Sequence, residues 1–101
     1  MNNFEIANIL INLQQTIYFL EGMKHCHSRF SYPCGITLRN QEPEPMRIYN
    51  RLLNEIQSAE NIVHQILKEL GNYNSWNISY YRNLLNDLLT SITYNSNLLM
   101  Q

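Results

Sequence analysis

Tyr49, Leu52, Ile56, Ala59, Val63, Ile66 and Leu70 step along the chain by three and four residues without a break. A helix turns once every 3.6 residues, so this ladder lies on one face, and an apolar face of that length must be covered by other elements. The ladder therefore commits the chain to packed rods. Pro45 suits the first turn, where its missing N–H needs no partner. Glu42 and Glu44 sit near the positive end of the helix dipole and Lys68 near the negative end. Gly71 can adopt the left-handed conformation that closes a helix, which gives a second helix over residues 44–70.

Two weaker ladders flank this one. Ile6, Leu10, Leu13, Ile17 and Leu20 alternate steps of four and three, and Asn2 with Glu5 fits a capping box. They predict a first helix over residues 3–27. Tyr81, Leu85, Leu88, Ile92 and Leu99 form the third stripe, interrupted by Asn95, within a helix over residues 76–99. Asn95 suits a buried polar position that fixes the register between helices. The link Gly71–Asn77 is short, so the second and third helices should run antiparallel.

Residues 28–43 connect the first two helices. Phe30 and Tyr32 alternate, Pro33-Cys34-Gly35 turns, and Ile36 and Leu38 alternate again. The pattern fits a short β-hairpin, or an extended strap that would let the first two helices lie parallel. The expected fold is all-α: one domain of 101 residues, a small bundle of three long helices with an irregular or hairpin connection.

Composition narrows the function. Net charge is −1, which supplies no field to gather nucleic acid, so nucleic acid is not expected as a partner. No apolar run approaches the ~20 residues that span a bilayer, and the start lacks a secretory signal. The expectation is a cytoplasmic protein whose cysteines stay reduced.

The stretch His25-Cys26-His27 with Cys34 gathers metal-capable and redox-capable groups. Zinc is held by such nitrogens and thiolates, and the workable set is His25, His27 and Cys34 with a fourth ligand such as His64. The spacing is poor, because successive side chains on a helix diverge by roughly 100°. A Cys26–Cys34 disulfide and a Cys–His nucleophile are further options. The plainer reading has no cofactor: two exposed histidines ending a helix, and two half-buried thiols.

Nine of the fifteen formal charges fall between Arg39 and Glu69, so the first and third helices are almost uncharged. Tyr73, Trp76, Tyr80, Tyr81 and Tyr94 crowd the last third of the chain. Interfaces are poor in Lys and Glu and rich in Tyr, Trp and Arg. The expected function is thus a non-catalytic protein-interaction module: a small adaptor, inhibitor or immunity-type protein. Its candidate contacts are Arg47, Arg51, Tyr73, Trp76, Tyr80 and Tyr94, with another protein or a second copy in a homodimer as partner. The alternative is a metal-binding or thiol-redox protein built on His25, His27 and Cys34.

Overall fold

The structure, a computed structural model, describes residues 2–28, 44–72 and 74–100. It is a small all-α bundle of three long helices: α1 (Asn3–Cys26), α2 (Glu44–Gly71) and α3 (Ser75–Leu99). No strand occurs among the described residues. The β-hairpin expected between Phe30 and Leu38 lies outside them, as do Cys34 and Tyr73.

All seven residues of the α2 ladder are buried, and Leu52, Ile56, Ala59 and Ile66 are wholly enclosed. Its other face carries the charges. Gly71 is the last helical residue, but its backbone avoids the left-handed region expected for a closing glycine. The turn is closed by its asparagines. The Asn72 and Asn74 amides both donate to the Glu69 carbonyl, and the Asn74 side chain then caps α3 by accepting from the Asn77 amide at 3.1 Å.

α3 returns antiparallel to α2. Asn77 donates to Glu69 beside the turn, while Ser91 and Asn95 donate to Glu55 near the far end. Ile78, Leu85, Ile92 and Leu99 complete the apolar seam. Asn95 is buried within it, the polar position anticipated there.

α1 begins at a capping pair, with the Asn2 side chain accepting from the Glu5 amide at 2.8 Å and donating back to the Glu5 carboxylate. Its first half lies beside the start of α3 and its end meets Ser96, so α1 runs parallel to α3 and antiparallel to α2. The parallel arrangement of α1 and α2 is thereby excluded. α1 packs chiefly on α2 and touches α3 little.

The buried face of α1 departs from the expected stripe. Ile9, Leu13 and Leu20 are buried, whereas Leu10 and Ile17 are exposed. The run Ile9-Leu10-Ile11 offers an apolar side chain to almost any face, so periodicity alone does not choose one. The choice is made further along. Leu13, Leu20 and His27 are seven residues apart and share a line, so seating His27 against α3 rotates both leucines inward.

The molecule is elongated, 55 × 21 × 17 Å, with a radius of gyration of 16.4 Å against about 13 Å for a compact chain of this length. A rod of three helices has much surface for its volume. Among the described residues, no helix is long and apolar enough to cross a membrane.

Candidate functional site

The histidine and cysteine stretch resolves into groups pointing different ways. His25 is exposed, and its carbonyl accepts from the Ser28 hydroxyl at 3.1 Å. Cys26 is exposed, not half-buried. His27, expected at the surface, is only 1% exposed, and its Nε2 is bonded to Ser96 Oγ at 2.7 Å. The cause is local geometry: the helix persists to Cys26, so three successive side chains fan out and only the third falls on the core line. His27 thus ties the end of α1 to the end of α3. Among the described residues, no three His, Cys, Asp or Glu side chains gather where they could hold a metal.

Lys24 strengthens the same joint. Its Nζ lies 2.8 Å from the Glu60 carboxylate on α2 and 3.7 Å from Glu21, and its carbonyl accepts from the Tyr49 hydroxyl at 3.5 Å. The Glu60 hydrogen bond raises the Lys24 pKa above its ordinary value. The charges of Glu60 and Glu21 add to this, against a lowering by burial. These bonds form a structural clasp.

The ring-bearing surface is divided. Trp76, 74% exposed, stacks parallel on Tyr80 with ring centroids 6.0 Å apart, and Tyr80 meets the half-buried Tyr81 edge-on at 5.4 Å. These rings occupy the first turns of α3, beside the α2–α3 link. Tyr94 is also exposed and falls on the same line, but five helical turns separate it from Trp76, about 27 Å at 1.5 Å per residue. Arg47 and Arg51 are exposed in the first turns of α2, at the opposite end of the bundle from Trp76. The six expected contacts therefore do not make one patch. Trp76 and Tyr80 meet, Tyr94 and the arginines stand apart, and Tyr73 is outside the described residues.

Two features escaped the sequence reading. One is a groove of about 320 Å³ between α1 and α3, floored by Leu13, Phe19, Leu85 and Leu89 and edged by Asn12 and Asn86. Arg82 joins it to a second depression beside Glu5 and Ser79. The lining mixes apolar side chains with the amides of Asn8, Asn12, Gln15 and Asn86, the hydroxyls of Thr16, Ser75 and Ser79, and the charged groups of Glu5 and Arg82. The other is the outer face of α1, where Phe4, Leu10, Ile11, Ile17 and Tyr18 are all exposed. Its signal was present as Phe4, Ile11 and Tyr18 at seven-residue spacing, masked by the more obvious ladder beside it.

No protein-family model, no curated protein and no solved structure matches this chain.

Proposed function

We propose that the protein is a non-catalytic interaction module, an adaptor- or inhibitor-type protein that binds another protein through the Trp76–Tyr80 surface. The observation that carries this reading is the parallel ring stack, with the indole three-quarters exposed on a helix whose only formal charges are Arg82 and Asp87. Large aromatic side chains dominate binding energy at interfaces, because each buries much area while fixing few torsions. Tyr80 holds the indole in one orientation before any partner arrives, which lowers the ordering cost of association. The cytoplasm, where the exposed thiol of Cys26 stays reduced, is the proposed setting.

The test is capture from extracts of the native host with the purified chain as bait, followed by titration of the captured protein. Trp76→Ala should weaken that partner by at least about 30-fold, the scale of an interface hot spot, with unchanged circular dichroism. Equal binding by the variant would refute the reading.

A further inference from the structure

We infer that two copies of this chain pair through the outer face of α1, antiparallel and about a two-fold axis that passes near Ile11. The inference rests on the reading of the protein as an interaction module and assigns a partner to a different surface from Trp76.

Phe4, Ile11 and Tyr18 are 73%, 52% and 68% exposed and lie on one line, because positions seven apart on a helix drift by only about 20°. Leu10 and Ile17, also exposed, widen that line on one side. The stripe faces away from the core line of Leu13, Leu20 and His27, and its three residues stay at least half exposed, with Ile11 at the edge of the depression that Ser75, Ser79 and Arg82 line on α3.

Its order is self-complementary. Phe4 and Tyr18 stand seven residues either side of Ile11, so the stripe reads ring, branched aliphatic, ring in both directions. Laid antiparallel on itself, it sets each Phe4 beside Tyr18 of the second copy and each Ile11 beside its equivalent. That is the requirement for a closed two-fold contact, in which one patch serves both subunits.

The electrostatics agree. Ile6 to Leu20 carry no formal charge, so two copies of α1 meet without repulsion. The same neutrality argues against a lipid surface, since helices that lie on membranes line their polar face with Lys and Arg. Here the polar positions are Asn8, Asn12, Gln14 and Gln15.

The area suffices. At their observed exposures the five side chains offer about 500 Å² per copy, given the 150–250 Å² typical of a buried aromatic and slightly less for an aliphatic. With all of it covered, two copies together reach roughly 1,000 Å², the lower bound for a specific interface.

Sedimentation equilibrium of the full chain tests this, with dimer expected at about 100 µM and dissociation at or below the micromolar range. Ile11→Glu places two carboxylates on the axis and should weaken the dimer about 100-fold, with helicity unchanged because the position is exposed. In a Cys26→Ser, Cys34→Ser background, Ile11→Cys should form an intermolecular disulfide, since residues facing each other across a two-fold contact fall within bridging distance. Trp76→Ala should leave the dimer intact, which separates this result from the capture experiment. The inference fails if the wild-type chain is a monomer at that concentration or if the dimer ignores Ile11→Glu. It fails equally if Trp76→Ala dissociates the dimer, or if a monomer co-sediments with phosphatidylcholine vesicles instead.

Discussion

The α2–α3 hairpin and α1 pack very differently, and the difference does not follow their apolar content. α1 is the most apolar of the three helices and buries the fewest residues, Ile9, Leu13 and Leu20. α2 is strongly two-faced and buries its whole ladder, chiefly against α3. Contrast between faces, more than total apolarity, decides how completely a helix is covered, because only a polar opposite face defines which side must turn inward. The hairpin also pairs its polar groups across the seam, through Glu55 with Ser91 and Asn95. α1 has its polar anchors at one end, at Lys24 and His27, and leaves apolar surface in solvent along its outer face.

The largest expected effect sets the two regions against each other directly. Ile56 is wholly enclosed between α2 and α3, and Ile56→Ala should cost about 3–4 kcal/mol in urea unfolding. Ile9 borders the groove beside α1, where the surroundings can collapse into the space left, so Ile9→Ala should cost about 2 kcal/mol. Equal losses would erase the distinction.

The next pair of changes sharpens it. Glu55→Ala removes the acceptor of both Ser91 and the buried Asn95 and should cost about 2 kcal/mol. Ser96→Ala, which removes the hydroxyl bonded to His27, should cost about 1 kcal/mol. Hydrogen exchange separates them further. Glu55→Ala should speed amide exchange in α2 and α3, whereas Ser96→Ala should speed it in α1 alone.

The smallest effect belongs to Lys24, whose side chain is about a third exposed and therefore screened by solvent. Lys24→Met should lower stability by at most about 1 kcal/mol at neutral pH. The native pKa of Lys24 is raised above its ordinary 10.5, so the native state binds that proton more tightly than the unfolded chain does. Its contribution is complete below about pH 10.5 and disappears as pH rises through the higher native value. Melting temperatures of the variant and wild type should therefore converge at strongly alkaline pH.

The same contrast explains which parts of the fold were legible in the residues. The α2 ladder carried its own polar reference in Arg51, Glu60 and Lys68, and every buried position could be named. Asn95 was recognisable as a register point because it broke an otherwise apolar stripe. In α1 the sequence at residues 9–11 is degenerate, so the wrong face was favoured there. The deciding interaction, His27 with Ser96, joins residues that no local spacing relates. Histidine next to cysteine drew attention to coordination chemistry, while burial gave His27 a structural task. Trp76, Tyr80 and Tyr94 are exposed, but chain proximity did not reveal that five turns of helix divide Tyr94 from Trp76.

The His27–Ser96 bond spans 69 positions. Synthesis proceeds from the amino end at roughly 5–20 residues per second, so α1 leaves the ribosome several seconds before its anchor on α3 exists. The α2–α3 hairpin, made of neighbours in sequence, can assemble as soon as both strokes are out, as local contacts form fastest. Of the three helices, the one made first is thus the last to have its docking completed, because α2 can receive it early but the His27 anchor waits for the end of α3.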